Sequence, residues 1–315
     1  MITLEKWLEQ VCPFPLNALH PMQGDASFRR YFRLMSGENS YVVMDASAER
    51  DCIMPYATIA AALQETGVLV PEIIAKDSEK GFMLISDLGN RLYLNELSTD
   101  NADRLYKMAL DALSQFQTSQ KVLPAFDQAF MQRELDEFNH WFLESYLKLS
   151  FNASEKKILQ ETFTLLTTSA AQQTQVFMHR DYHSGNLMVL PNSIGILDFQ
   201  DACRGPITYD LVSLLRDCYI AWPDEKVRSW VWYFYEKQNP HVSFDEFLQW
   251  FDWMGMQRHM KALFIFARKY LRDGTPRYLT HIPRVLNYMV NVSGRYPEFQ
   301  LFYGFLQEVI LPCAA

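Results

Sequence analysis

Three polar side chains in the segment "HRDYHSGNLMVLPNSIGILDFQDA", residues 179–202, have types and spacing that could do chemistry: Asp181, Asn186 and Asp198. The runs "LMVL" and "IGILDF" are short and apolar and are joined by "PNS", which predicts a β-hairpin. If the turn is centred on Asn192, Asn186 and Asp198 lie opposite each other, with Cβ atoms about 5 Å apart. An amide oxygen and a carboxylate oxygen suit Mg²⁺, which prefers oxygen ligands.

Asp181 precedes Asn186 by five residues, so it would stand beside the metal without having to bind it. A carboxylate in that position can accept a proton from a hydroxyl group. The three residues therefore predict a metal-assisted transfer to a hydroxyl, with phosphoryl transfer as the leading hypothesis. The alternative is that Asp181 caps a turn and that the other two are ordinary polar residues at a turn and a strand end. His179, which begins the loop, is expected to support its backbone.

The composition of the chain limits the classes of function. Its 315 residues are 49% hydrophobic and 14% aromatic, which suffices for one large domain or two lobes. The net charge is -8 and no basic tract is present, so nucleic acid is not indicated as a partner. No obligate protein partner is expected either. Five scattered cysteines without a C-x-x-C pair favour a reduced, cytoplasmic setting. No signal-peptide pattern and no bilayer-spanning window are present, so no membrane association is expected.

The pattern of apolar residues changes near residue 90, from strand-like before it to helix-like after it. Before it, "SFRRYFRL", "SYVVMDA" and "GFMLISDL" are typical of strands, and "MPYATIAAALQETG" predicts one helix that ends at Gly67. From Asn101 onward, apolar residues recur at spacings of three and four, which predicts helices. We therefore expect an α+β fold with a small, sheet-rich N-lobe at residues 1–88, a large, mainly helical C-lobe at residues 89–315, and a ligand cleft between them.

The segment "HRDYHSGN", followed by an apolar strand and "ILDFQDA", resembles the catalytic loop and metal segment of the protein-kinase-like phosphotransferases, specifically the aminoglycoside phosphotransferase and choline kinase superfamily. The resemblance covers nearly the whole chain. It implies a bilobal protein-kinase-like fold with an antiparallel sheet in the N-lobe, ATP and Mg²⁺ as cofactors, Asp181 as catalytic base, and Asn186 and Asp198 as magnesium ligands. Asp210 in "GPITYDLVSLLRD" matches the family's buried carboxylate that steadies the catalytic loop, although it could also be a helix N-terminal acid.

Within the superfamily, "GDASFRRYFR", "YVVMDA", "GFMLISDLG" and "MQRHMKALFIFARKYLRDG" are similar to segments of the bacterial cell-wall amino-sugar kinases. This resemblance implies transfer of the γ-phosphoryl group of ATP to the anomeric hydroxyl of N-acetylmuramic acid and N-acetylglucosamine. A kinase for an aminoglycoside, choline or another small alcohol is the main alternative. A nucleotide-binding regulator with little turnover is the alternative from another class.

The nucleotide site is expected in the N-lobe. The turn "GDASF" lies where the family carries its phosphate-covering turn, so its N–H groups and the Ser27 hydroxyl are expected to bind phosphate; an ordinary hairpin turn is the alternative. Strand alternation puts Arg29 on the same face as Tyr31. Protein kinases carry a phosphate-binding lysine where this chain has Met44, and Arg29 is predicted to supply much of that charge. The backbone groups expected to contact adenine are those of Ser86, Asp87 and Leu88.

The acceptor is expected to bind to the helical lobe. The segment "FLQWFDWMGMQRHMKALFIFARKY" places aromatic and polar groups within about three helical turns, where they could meet a sugar. An arginine or lysine there could also pair with the carboxylate of a muramic acid. The alternative is that the tryptophans are core residues and the basic residues are solvated. The residues concerned are Trp250, Trp253, Gln257, Arg258 and Lys261. The further candidates are His183 for a substrate contact and Asp201 for a sugar hydroxyl or a second metal.

Overall fold

The computed structural model describes residues 3–12, 19–22, 29–37 and 39–314. By their contacts these residues fall into two compact units. The first unit contains the residues up to Glu96 together with Asn186–Ala202. The second unit contains Leu97–Gly185 together with the residues from Cys203 onward.

This division differs from the predicted lobe boundary at residue 88, because the hairpin segment joins the first unit. Hydrogen bonds account for the difference. The amide of Val189 donates to the carbonyl of Arg91 at 2.7 Å, and the amide of Ile196 donates to the carbonyl of Leu69 at 2.9 Å. The backbone of the hairpin is thus paired with segments that precede Glu96.

An antiparallel sheet of five strands forms the described part of the first unit's framework. The strands are β1 (Leu19–Pro21), β2 (Arg30–Ser36), β3 (Asn39–Asp45), β4 (Ile73–Asp77) and β5 (Phe82–Ser86). Their order is β1-β2-β3-β5-β4. Side chains alternate along β2 as predicted, because Phe32 and Leu34 pack into a core with Trp7 while Arg33 pairs with Asp87.

Three helices accompany this sheet in the described part of the first unit: α1 (Leu4–Val11), α2 (Ile53–Glu65) and α3 (Tyr93–Glu96). Trp7 and Leu8 on α1 are buried against the sheet. The predicted end of α2 is confirmed, since Gly67 follows it with a φ of +86°, a value that glycine adopts without strain.

Four short strands between residues 175 and 206 form two antiparallel pairs. They are β6 (Gln175–Met178), β7 (Leu187–Val189), β8 (Ile194–Ile196) and β9 (Cys203–Pro206). β6 pairs with β9 in the second unit, and β7 pairs with β8 in the first unit as the predicted hairpin.

The register of the hairpin differs by one residue from the predicted one. Asn186 is opposite Leu197, whose amide donates to the Asn186 carbonyl at 2.9 Å, and not opposite Asp198. The turn contains two residues, Pro191 and Asn192, so it is not centred on Asn192. Proline favours this arrangement because its fixed φ suits the first of two central turn positions.

Nine α-helices lie in the described part of the second unit, and the longest one forms its centre. They are α4 (Ala102–Phe116), α5 (Gln128–Glu137), α6 (Ala153–Gln172), α7 (Tyr209–Leu215), α8 (Asp224–Gln238), α9 (Phe244–Leu271), α10 (Ile282–Ser293), α11 (Gln300–Phe305) and α12 (Leu311–Ala314). Two π-helical segments, Phe138–Tyr146 and Leu306–Ile310, follow α5 and α11. At 1.5 Å per residue, α9 is about 42 Å long.

The core of the second unit surrounds α9. Apolar side chains of α9, α10, α6 and the first π-helical segment form one buried cluster. Residues on all sides of α9 are buried, and this explains why its sequence shows no polar stripe. None of the described helices is long and apolar enough to cross a membrane, and all five cysteines are free thiols.

Gly81, between β4 and β5, has a φ of +78°, and a Cβ there would lie 2.6 Å from the Ala46 carbonyl oxygen. We expect Gly81→Ala to lower the free energy of unfolding by about 2 kcal/mol or more, since left-handed backbone costs about 1–2 kcal/mol and the clash adds to it. Urea-induced unfolding followed by circular dichroism measures the loss.

Gly37→Ala is the matched control. Gly37 has a φ of +61°, and no described atom lies within 4 Å of its added Cβ, so only the backbone strain should be felt. Equal losses of stability for the two variants would contradict the close approach at Gly81.

Candidate active site

The loop that follows β6 is fixed by Asp210, the second residue of α7. The amides of His179 and Arg180 donate to the two carboxylate oxygens of Asp210 at 2.6 and 3.0 Å. To direct its amide there, Arg180 has a φ of +77°, which is uncommon for a residue other than glycine. The carboxylate therefore holds two successive amides of the predicted catalytic loop.

Burial of Asp210 is complete. Burial raises the pKa of its carboxyl group to about 7, although the hydrogen bonds from His179 and Arg180 lower the pKa. A buried carboxylate needs such partners, since an ionised group without them is costly in the protein interior. Asp210 therefore links α7 to the loop after β6 through two backbone amides.

His179 lies at the start of the same loop and is also completely buried. Its Nδ1 accepts a hydrogen bond from the amide of Asp181 at 3.2 Å. The ring also lies edge-on to that of Tyr182, with 5.6 Å between the centroids. These contacts join the His179 ring to the backbone of Asp181 and to the ring of Tyr182.

The side chain of Asp181 is one-third exposed, and two cations of α9 lie beside it. The guanidinium of Arg258 is 3.4 Å from Asp181 Oδ1, and Nζ of Lys261 is 3.9 Å from it. Burial alone would raise the pKa of Asp181, but Lys261 and Arg258 outweigh it and lower the pKa below its ordinary value. Asp181 is therefore an ionised carboxylate at neutral pH and a weak base.

Glu134 on α5 balances the positive charges around Asp181. One of its carboxylate oxygens is 3.0 Å from Arg180 and 3.6 Å from Lys261, and the other accepts a hydrogen bond from Gln257 at 2.9 Å. Glu134 was not among the residues predicted from the sequence. Its spacing from Met131 and Leu135 puts it on the buried stripe of α5, and a carboxylate on an apolar stripe is the signal that would have found it.

Three of the α9 residues named in the sequence are buried. Gln257 is completely buried, and its side-chain amide donates a hydrogen bond to Glu134. Trp250 and Trp253 are both 8% exposed and pack into the interior, as the alternative interpretation held. Arg258 is buried too, but its guanidinium extends between Ser213 and Asp181, so it acts on the carboxylate that the sequence singled out.

Asn186 and Asp198 lie at the open end of the β7–β8 hairpin. Despite the shifted register, the φ of +59° at Asp198 turns the chain directly after the strand pair ends. The Asp198 carboxylate is 44% exposed and accepts a hydrogen bond from Gln200 at 2.9 Å. An amide and an exposed carboxylate provide hard oxygen donors, so the residues present fit Mg²⁺, which keeps water and phosphate oxygens for its other positions.

Arg29 is the cation that the structure places next to Asp198. Its guanidinium is 3.7 Å from the Asp198 carboxylate and 3.8 Å from that of Glu49, and its side chain is 14% exposed. Met44, which stands where protein kinases have lysine, is completely buried. Ser27, the other predicted phosphate ligand, lies outside the described residues.

The segment Ser86 to Leu88 begins at the last residue of β5. The Ser86 hydroxyl accepts a hydrogen bond from the amide of Glu72 at 2.8 Å. The Asp87 carboxylate binds the guanidinium of Arg33 at 2.5 and 3.1 Å, so its side chain is already engaged. Among the described residues, no backbone hydrogen bond uses the amide of Leu88.

His183 and Asp201 are the remaining predicted residues. His183 is half-buried, and its Nδ1 accepts a hydrogen bond from the amide of Gly185 at 3.2 Å. Asp201 is exposed, and its carboxylate is 3.4 Å from Nε2 of Gln200. Ser184, between them in sequence, donates from its amide and its hydroxyl to Asp217 at 2.9 and 2.5 Å, an anchor that the sequence analysis missed.

Asp210→Ala is expected to lower the free energy of unfolding by about 2 kcal/mol or more, because two buried amides lose their acceptor. Hydrogen exchange at the amides of His179 and Arg180 should accelerate in the same variant. Urea-induced unfolding and hydrogen-exchange mass spectrometry measure the two effects. Asp100→Ala removes an exposed carboxylate and is the control. Unchanged exchange in the loop would show that Asp210 does not hold it.

Residues 18–245 match the profile of the Phosphotransferase enzyme family. The chain is 41% identical over 312 residues to N-acetylmuramate/N-acetylglucosamine kinase of Pseudomonas aeruginosa, a match that covers 94% of this chain and 92% of that relative. It is 38% identical over 321 residues to the protein of the same name from Neisseria meningitidis serogroup B, which covers 98% of this chain and 96% of the relative.

Solved structures share the fold. An ADP-bound aminoglycoside phosphotransferase matches with a TM-score of 0.62 at 14% identity, covering 91% of this chain and 97% of that chain. Choline kinase from Streptococcus pneumoniae matches with a TM-score of 0.66 at 13% identity, covering 91% and 98%. These matches confirm the predicted α+β, protein-kinase-like fold. With the family profile spanning most of the chain, the protein is a phosphotransferase and belongs to the Phosphotransferase enzyme family.

Proposed function

We propose that the protein is an ATP-dependent kinase that transfers the γ-phosphoryl group to the anomeric hydroxyl of N-acetylmuramate and N-acetylglucosamine. The observation that carries the proposal is the state of Asp181, a part-exposed carboxylate kept ionised by Arg258 and Lys261. The names and the near-complete coverage of the bacterial relatives support the choice of acceptor. A cytoplasmic setting, where ATP is available, is part of the same proposal.

Asp181 would orient the attacking hydroxyl and accept its proton. A carboxylate with a lowered pKa is a poor base for an ordinary alcohol. The anomeric hydroxyl of a free sugar is more acidic than a plain alcohol, so a weaker base suffices to accept its proton. The cations that weaken Asp181 as a base therefore favour an acidic hydroxyl as the acceptor.

Asn186 and Asp198 would hold Mg²⁺, which supplies positive charge to the phosphate oxygens of ATP when it is bound. In the first unit, Arg29 would add its charge next to the nucleotide phosphates, since it lies beside Asp198. Ser27 is proposed as a further phosphate ligand. The Leu88 amide would donate to adenine, with Ser86 and Asp87 shaping that segment.

The charge around Asp181 also bears on the alternative acceptors. Aminoglycosides and choline are cations, and two cations already lie within 4 Å of the Asp181 carboxylate. A neutral or anionic acceptor fits this surrounding better because like charges repel. The regulator alternative is disfavoured because the chain retains Asp181, Asn186 and Asp198, the residues that turnover would need.

The proposed function is tested by magnesium-dependent ADP release with N-acetylmuramate, N-acetylglucosamine, kanamycin, choline and no acceptor. We expect turnover with both sugars and an acid-labile sugar 1-phosphate as the product. Asp181→Asn should lower kcat by 100-fold or more, since general-base catalysis contributes about 10²–10⁴-fold. Turnover with the amines alone, or a near-normal rate for Asp181→Asn, would refute the proposal.

Arg29→Gln should raise the KM for ATP by about tenfold, because a charge-assisted contact is worth about 1.5–3 kcal/mol. Steady-state kinetics at saturating sugar measures the change. Arg30→Gln is the matched control, because Arg30 is next in the chain, is 69% exposed and pairs with Asp45. An unaltered KM and kcat in Arg29→Gln would exclude Arg29 from the nucleotide site.

A further inference from the structure

Two histidine rings flank Tyr219 in the second unit. The ring of His183 lies edge-on to Tyr219 with 5.3 Å between centroids, and the ring of His281 does the same at 5.0 Å. All three residues are half-buried, so each presents part of its surface to solvent. Aromatic faces combined with imidazole nitrogens are suited to a sugar ring, which has apolar C–H faces and polar edges.

This group of rings adjoins Asp181. The amide of His183 donates to the Asp181 carbonyl at 3.1 Å, and His183 contributes to the lowered pKa of Asp181. Asp217 fixes the relative position of the rings, because its carboxylate accepts from the Ser184 amide at 2.9 Å and from the Tyr219 amide at 2.8 Å. An acceptor lying against Tyr219 would therefore be close to the proposed base.

Arg284, in the first turn of α10, adds a positive charge to the same neighbourhood. Its guanidinium donates to the carbonyl of Cys218, the residue before Tyr219, at 2.7 Å. Burial lowers the pKa of His281, and the charge of Arg284 lowers it further.

Arg284 differs from the other buried arginines in its partners. Arg180 pairs with Glu134, and Arg216 pairs with Asp252. No carboxylate lies within 4.0 Å of the Arg284 guanidinium among the described residues, which are 3–12, 19–22, 29–37 and 39–314. The carboxylate of Asp217 already accepts hydrogen bonds from Ser184 and Tyr219. A half-buried guanidinium with only a carbonyl partner is stabilised when an anion binds to it.

We propose that Tyr219, His183 and His281 bind the acceptor sugar and that Arg284 binds the carboxylate by which N-acetylmuramate differs from N-acetylglucosamine. This inference rests on the proposed function and assigns the acceptor subsite within it. The ring of Tyr219 packs against the pyranose, and the imidazoles hydrogen-bond its polar substituents. Arg284 provides a charged contact to one of the two sugars and none to the other.

The test is to measure steady-state kinetics of Arg284→Gln with both sugars. The KM for N-acetylmuramate should rise at least tenfold, and kcat/KM should fall accordingly, while both constants for N-acetylglucosamine stay within about twofold. Arg284→Lys, which keeps the charge, should recover part of the loss. Arg272→Gln removes an exposed arginine that pairs with Asp273 and is the control for net charge.

A second measurement needs no variant and covers the case in which Arg284→Gln folds poorly. The methyl ester of N-acetylmuramate lacks the negative charge, so the unaltered protein should bind it at least tenfold more weakly than N-acetylmuramate in calorimetric titrations. Equal losses for both sugars in Arg284→Gln, or equal affinities for the ester and the acid, would overturn the carboxylate assignment. Failure of the unaltered protein to phosphorylate either sugar would instead overturn the proposed function, and this inference with it.

Discussion

A carboxylate that is buried completely is stable only where the surrounding chain is arranged to receive it, and Asp210 imposes this constraint on the second unit. Its two oxygens accept from successive amides of the loop after β6, and Arg180 adopts a left-handed backbone conformation to make this possible. Each hydrogen bond to a charged group contributes about 1.5–3 kcal/mol to stability. The contribution is made only when the loop after β6 and helix α7 are both in place. The position of Asp181 follows from this coupling, since His179 and Arg180 directly precede it.

The second feature is the balance of charge around Asp181. Three cations, Arg180, Arg258 and Lys261, are set against two carboxylates, Glu134 and Asp181. Buried ion pairs contribute little net stability, because desolvation offsets most of their attraction. Their presence is better explained by what they do to Asp181, which they keep ionised while reducing its strength as a base. The same excess of positive charge favours an acceptor that is neutral or negative.

The first unit places its own polar groups by sheet geometry. Strand alternation separates the apolar residues Phe32 and Leu34 from Arg33, which is bound by Asp87. Just before β2, Arg29 lies beside Asp198, and the left-handed conformation of Asp198 follows directly on the end of the hairpin. A cation and a carboxylate from distant parts of the chain thus meet in one place.

The sequence by itself determined the strands and helices that have a clear period and the hairpin, because these depend on spacing along the chain. The roles expected of Asp181, Asn186, Asp198 and His179 rest on the same spacing and stay predictions. Asp210 came from family resemblance. The register of the hairpin was predicted one residue off, since Pro191 allows a two-residue turn that periodicity does not distinguish. Only the tertiary structure decided which polar residues of α9 are buried. That helix is covered on all sides, and its sequence has no polar stripe that would show which face is exposed. The tertiary structure also brought Glu134 to Lys261 and Arg284 to the segment of Tyr219, contacts between residues more than sixty positions apart that no local pattern encodes.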